Sequence, residues 1–234
     1  ALPLTSLACR IIYLLFARIE NLDTLESQIG IGGTSRTTQE VEGKSSTIMD
    51  ETYGFHGPQT MTPGELGDSL ATLVWESFSD FLSREDVETP LPDVDTLSDV
   101  EDAAYDTAAE EVLIFFMWAH TRGAQLAFLG RAPDQRIRAG LDALHKAIFE
   151  DMVQHGTPAV QLPLFEQRVS ARYAEYHQAA AESDGQLGNA VSRHLEGVDP
   201  DEMNDALSDA IRERAVAVAN PLKDFLEDVE LVEA

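Results

Sequence analysis

The helical spacing of apolar residues after Thr62 constrains the fold of this chain more than any other feature of its sequence. Apolar side chains recur there at steps of three and four, which places them on one face of an α-helix. Thr62-Pro63-Gly64-Glu65 is typical of a helix start, and Pro221 predicts a break or kink. No alternating pattern predicts a strand after residue 62. We therefore expect an all-α fold, a bundle of five to six helices with antiparallel neighbours where the loops are short.

The boundaries of the predicted helices come from capping residues, glycines and prolines between the periodic segments. The first helix runs from Thr62 to a proline-rich stop near residue 89, and the last starts near residue 199. In the second, Leu113, His120 and Phe128 are expected to line one side. The four helices between the first and the last are predicted at residues 98–130, 132–156, 163–182 and 187–195.

Residues 1–30 form a separate predicted element. Their apolar residues, with one interruption at Arg18, predict an N-terminal amphipathic helix that stops at Gly30. Its apolar stripe consists of Leu4, Leu7, Ile11, Leu15, Leu22 and Leu25, and it continues to Ile29. The next residues, 31–61, are rich in Gly, Ser and Thr and predict an irregular linker with only short extended pieces. The predicted organisation is therefore a helix at 1–30, a linker at 31–61 and a bundle domain at 62–234.

The charge balance limits the kinds of partner that this protein can bind. Its 234 residues include 42 Asp and Glu but only 16 Lys and Arg, a formal net charge of −26. A nucleic-acid partner is excluded, because holding a phosphate backbone requires a basic face. An anionic membrane surface is disfavoured for the same reason. A surface rich in carboxylates and poor in lysine indicates adaptation to high salt, which screens the mutual repulsion of the acids.

The acidic residues are not spread evenly along the chain. Residues 85–111 contain eleven acids and no base, whereas residues 112–194 contain eight acids and eight bases. The neutral stretch also contains five of the six histidines. We therefore expect residues 112–194 to contribute most of the buried core, an interface or a site.

Short motif fragments in this sequence lack the context that their chemistry needs. Gly43-Lys44-Ser45 resembles the end of a phosphate-binding loop, but Thr38 stands where the first glycine of that motif is required. A single cysteine, Cys9, excludes an intramolecular disulfide and a cysteine-based zinc site. We assign no catalytic residue, no metal site and no cofactor from the sequence.

A candidate ligand or partner site lies in the neutral stretch. It combines imidazole, guanidinium and phenol groups, which are those of His120, His145, Arg168, Arg172, Tyr173 and His177. A metal ion shared by His120 and His145 across two helices is one hypothesis, since imidazole is a common metal ligand. Because His120 falls on an apolar face, a hydrogen-bonded core histidine is the simpler interpretation.

The arginines of this candidate site have two interpretations as well. Arg168 and Arg172 lie one helical turn apart near Tyr173, and such a group is suited to binding an anion or an acidic partner. Alternatively, the two arginines pair with Glu166 or Glu175 along their own helix. We favour this second interpretation, because pairs at this spacing are common on helix surfaces.

The sequence favours a non-catalytic role. We expect a cytoplasmic interaction or assembly module, adapted to high salt, that contacts itself or another protein through its N-terminal helix. The first alternative is a helical-bundle enzyme or a ligand or metal carrier, with a His/Arg/Tyr-lined pocket within residues 112–194. The second is a peripheral membrane protein anchored by residues 2–19, which the acidity of the chain disfavours.

Overall fold

This computed structural model describes residues 59–82, 99–197 and 205–233, and it describes side chains for all of these except 99–106. The predicted N-terminal helix at 1–30, with its apolar stripe from Leu4 to Leu25, lies outside the described residues. Most of the predicted linker, residues 31–58, lies outside them as well.

The described chain forms a helical bundle with one very small sheet, so the predicted all-α fold is confirmed. Six α-helices pack together in the described ranges, within the predicted five to six. In chain order the elements are β1 (Gln59–Met61), α1 (Pro63–Leu82), α2 (Asp99–Phe128), α3 (Asp134–Gln154), a 3₁₀ turn (Ala159–Gln161), α4 (Leu162–Glu182), α5 (Asp184–Glu196), α6 (Asp205–Glu227) and β2 (Val229–Leu231). Among these helices, none combines the length and the apolar character needed to cross a bilayer.

Helix α2 is the centre of the bundle. Every side chain from Glu111 to Thr121 is buried, because helices contact α2 on several sides. The sequence predicts one inward face for this helix, but eight consecutive apolar residues, 112–119, leave no polar face over two turns. A helix that is apolar all round is stable only when it is surrounded by protein.

The local signals at helix ends correspond to the observed boundaries. At the start of α1, the Thr62 hydroxyl accepts a hydrogen bond from the Glu65 amide at 3.3 Å, and the Glu65 carboxylate accepts one from the Thr62 amide at 2.8 Å. This reciprocal pair satisfies two amides that have no partner within the helix. Gly130 and Gly156 follow α2 and α3 with φ angles of 73° and 103°, which glycine adopts without steric strain.

Of the break or kink expected at Pro221, the break does not occur, since α6 continues through this residue to Glu227. Proline has no amide proton to donate to the carbonyl group of Ala217, four residues earlier. Both Pro221 and Ala217 are exposed, so water is available to hydrogen-bond that carbonyl oxygen.

A short parallel sheet joins the two ends of the described chain, and it corrects the expectation that no strand follows residue 62. Gln59–Met61 pairs with Val229–Leu231. The guanidinium group of Arg131 donates to the carbonyl oxygens of Leu226 at 3.0 Å and Val229 at 3.3 Å, which ties the end of α6 to the α2–α3 turn. A strand of three residues is too short for its alternation to be recognised in the sequence.

Candidate functional site

The structure brings three of the six candidate residues together. His145 on α3 and Tyr173 on α4 have ring centroids 5.5 Å apart, and Tyr173 and His177 have centroids 6.3 Å apart. His177 also contacts Trp118 of α2 edge-on, at 5.6 Å. These residues form an aromatic cluster where α2, α3 and α4 meet.

Hydrogen bonds connect this cluster across the three helices. The His145 Nδ1 lies 2.7 Å from the Leu141 carbonyl oxygen, and because a carbonyl oxygen only accepts, Nδ1 carries the proton. In the neutral ring Nε2 is then an acceptor, and the Tyr173 hydroxyl donates to it at 3.0 Å. The Thr121 hydroxyl lies 3.3 Å from the same phenol oxygen and donates to it. The result is a hydrogen-bond chain from Thr121 through Tyr173 to His145.

Burial fixes the charge state of this hydrogen-bond chain. It lowers the pKa of His145, and it raises the pKa of Tyr173 well above its ordinary value. At neutral pH both side chains are therefore uncharged. The phenol proton is held on Tyr173, and both imidazole nitrogens of His145 have partners. The chain links α2, α3 and α4 through polar contacts inside a largely apolar core.

His120 lies apart from the cluster. Its side chain is buried, and its Nδ1 donates to the carbonyl oxygen of Phe116 on the same helix at 2.8 Å. This placement agrees with the interpretation of His120 as a hydrogen-bonded core histidine. In the part of the chain that the structure describes, no three His, Cys, Asp or Glu side chains form a group that could hold a metal ion.

Burial lowers the pKa of His120 to about 4, which predicts a pH-dependent stability. In the unfolded chain His120 has a pKa near 6.5, so between pH 6.5 and 4 it binds a proton that it does not bind in the folded protein. The stability contributed by neutral His120 is thus complete above pH 7 and falls by about 3 kcal/mol as the pH approaches 4. The free energies of unfolding of the parent protein and of His120→Asn, measured in urea from pH 7 to 4.5, should converge as the pH falls. If the two free energies ran parallel with pH, this assignment would be contradicted.

Arg168 and Arg172 pair with α2 rather than along α4, which is the opposite of the favoured expectation. Arg172 forms two hydrogen bonds of 2.8 Å with the carboxylate of Glu111. Arg168 bonds the neighbouring carboxylate, Glu110. Glu175 of α4, which the sequence offered as a partner for these arginines, contacts Arg193 and His194 of α5. The buried surface of α2 needs cationic partners for its own carboxylates, and α4 supplies them.

Two of the grooves on the described surface of the bundle have exposed apolar side chains in their walls. The α3–α4 groove has a volume of about 780 Å³, and His145, Phe149 and Leu162 are among its lining residues. Three carboxylates, those of Asp142, Glu150 and Glu166, line it together with one base, Lys146. Val153 in its wall is 39% exposed, and Val160 and Leu164, which flank Leu162 in the chain, are 82% and 67% exposed.

The α2–α6 groove is smaller, about 140 Å³, and its charged lining residues are two arginines and one carboxylate, Asp184. Leu126 and Val216 form part of its walls and are 49% and 46% exposed. Arg122 and Arg212 line it as well. The Arg122 guanidinium lies 5.9 Å from the centroid of the Trp118 ring, and none of the described carboxylates forms an ion pair with it.

Glu111, Thr121 and Arg122 are not predicted from the sequence as site residues. A signal for Glu111 was present, because a carboxylate that directly precedes eight apolar residues of a helix is expected to be buried and to need a cation. Thr121 and Arg122 carry no comparable signal. Their roles depend on which helices lie beside α2.

Comparisons of the chain with protein-family models, with curated proteins and with solved structures find no match. The proposals for its function therefore depend on the geometry of its own residues.

Proposed function

We propose that this protein is a non-catalytic assembly module of a salt-rich cytoplasm that associates with a second copy of itself. In this proposal, residues 2–18 of one copy bind in the α3–α4 groove of the other. The observation that carries it is the combination of exposed apolar side chains and three carboxylates in and around that groove. Amphipathic helices commonly bind their partners by placing an apolar face in such a groove.

Charge complementarity supports residues 2–18 as the occupant. This segment contains no acid and two bases, Arg10 and Arg18, in a chain whose net charge is −26. Its apolar residues Leu4, Leu7, Ile11 and Leu15 would lie against Phe149, Val153 and Leu162. The two arginines would then face the carboxylates of the groove, which favours correct association over wrong partners.

Light scattering of the full chain tests the proposed assembly. We expect the mass of a dimer, and we expect Val153→Asp to give a monomer, because a carboxylate would replace an apolar contact in the wall of the groove. Leu129→Asp is the matched control: Leu129 is 74% exposed, does not line the groove, and should leave the dimer intact. Leu7→Asp should give a monomer as well. A monomeric parent protein, or equal behaviour of Val153→Asp and Leu129→Asp, would refute the proposal.

The proposed adaptation to high salt predicts a strong dependence of stability on ionic strength. Salt screens the mutual repulsion of 42 acidic residues in the folded state. We expect the melting temperature, followed by circular dichroism, to rise by roughly 10 °C between 0.1 M and 2 M KCl, which corresponds to about 3 kcal/mol for a chain of this size. Sucrose at equal osmolality is the control and should raise it less. A melting temperature that is flat or falls with KCl would contradict the adaptation.

A further inference from the structure

The α2–α6 groove presents two arginines in a strongly acidic chain. Arg122 has no carboxylate partner among the described residues, and Arg212 has only the exposed carboxylate of Asp209, at 3.1 Å. The charge of Arg122 also reaches its neighbours: after burial itself, it is the second cause that lowers the pKa of His177. Apart from Asp184 and Asn220, the other residues that line the groove are apolar. Two arginines against one carboxylate leave an excess of positive charge, so the groove is suited to a segment that combines carboxylates with an apolar face.

We propose that residues 19–30 of the same chain occupy the α2–α6 groove. This inference rests on the proposed function, because it assigns a place to the remaining half of the same N-terminal segment. Leu22, Leu25 and Ile29 share one face of the predicted helix, and Asp23 and Glu26 lie side by side along one edge of that face. The apolar face would cover Leu126 and Val216, and the two carboxylates would approach Arg122 and Arg212.

The length of the connecting chain favours docking within one molecule. The Gln59 amide donates to the carbonyl oxygen of Asp228 at 3.0 Å, which fixes the start of the described chain at the end of α6. Val216 lies about 18 Å back along α6 from this point. Residues 31–58, about 28 in number, have a mean end-to-end reach of roughly 30 Å. A linker whose mean length is close to the distance it must span gives residues 19–30 a millimolar effective concentration at the groove. The same segment of a second copy reaches that concentration only at very high protein concentration.

Disulfide trapping in the full chain tests this docking. In a Cys9→Ser background, cysteines replace Leu25 and Val216, and the protein is oxidised gently. We expect an intramolecular disulfide, seen as a monomer with no free thiol. The control pairs Leu25→Cys with Phe225→Cys, which is 46% exposed and lies nine residues from Val216, on the opposite face of α6, and should keep its thiols. Equal oxidation of both pairs, no disulfide in either, or a disulfide only between chains would overturn the inference.

Charge reversal gives a second and independent test. Arg122→Glu should slow the formation of the Leu25–Val216 disulfide about fivefold, and adding Glu26→Arg should restore it, because the pair is then reversed in sign. Reversal of Arg138, which does not line the groove, should change nothing. An Arg122→Glu effect that Glu26→Arg does not rescue would overturn the pairing. A dimer by light scattering without the intramolecular disulfide would refute this inference while leaving the proposed assembly intact.

Discussion

Replacing Gly67 with alanine is expected to be among the most damaging single-methyl changes in this bundle. Gly67 lies in α1 where that helix meets α3, and a Cβ atom there would be 2.4 Å from the Ala143 Cβ and 2.7 Å from the Leu144 backbone nitrogen. A backbone cannot turn away as a flexible side chain can, so α1 and α3 must separate. We expect a loss of about 3 kcal/mol, near the upper end for overpacking. The melting temperature should then fall by roughly 10 °C.

Gly64 supplies the matched control for this prediction. It lies in the first turn of the same helix, is exposed, and a Cβ there would meet nothing closer than the Thr62 hydroxyl at 3.9 Å. Gly64→Ala should leave stability unchanged or raise it by up to about 1 kcal/mol, because alanine favours the helix. If Gly64→Ala and Gly67→Ala changed the free energy of unfolding equally, the close approach of α1 and α3 would be wrong.

Removing either partner of the Glu111–Arg172 pair is expected to have the other large effect. The Glu111 side chain is 2% exposed and that of Arg172 is 22% exposed, so each charge relies on the other instead of on water. Breaking a buried pair leaves one charge uncompensated, at a cost of about 3–5 kcal/mol. We expect Arg172→Ala to be worse than Glu111→Ala, because the carboxylate that remains is the more deeply buried charge. Urea unfolding followed by circular dichroism measures both.

Two further variants separate a lost pair from lost packing. The double variant Glu111→Leu with Arg172→Leu should recover most of the stability, because no unpaired charge is left in the core. The exposed pair Lys223–Glu227 provides the control, since both side chains are more than half exposed and their charged atoms are 3.4 Å apart. Glu227→Ala should therefore cost less than about 0.5 kcal/mol. A double variant as unstable as Arg172→Ala would show that the charges themselves are not responsible.

The fold was predictable where the signals are local. The Thr62 cap, the glycines after α2 and α3, and the apolar spacing of α3 all act within one or two turns, and the observed helices follow them. At Pro221 the sequence left a break or a kink open, and the helix does not break there, because its exposed surface lets water satisfy the carbonyl group that proline leaves without a donor. Prediction failed for the strand at Val229–Leu231, whose partner lies at the other end of the described chain.

The candidate site was predictable as a set of residue types but not as a geometry. Helical spacing shows that Tyr173 and His177 lie one turn apart, yet only the packing of α3 on α4 brings His145 to the phenol oxygen. The same limit applies to Arg172. One carboxylate of its own helix, Glu175, lies within reach by spacing, but the burial of Glu111 makes the distant partner the stronger one.

By itself, the sequence determined the helical class, the places where helices start and stop, and the acidity of the surface. These properties depend on dihedral preferences, capping groups and charge counts, which act locally or add up along the chain. The tertiary structure alone decided that α2 is enclosed on several sides, and which residues meet across helices. An apolar face in the sequence shows that the residues must be buried but not which residues cover them. The partners of Glu111, His145 and Tyr173 were therefore fixed only by the packing of one helix on another.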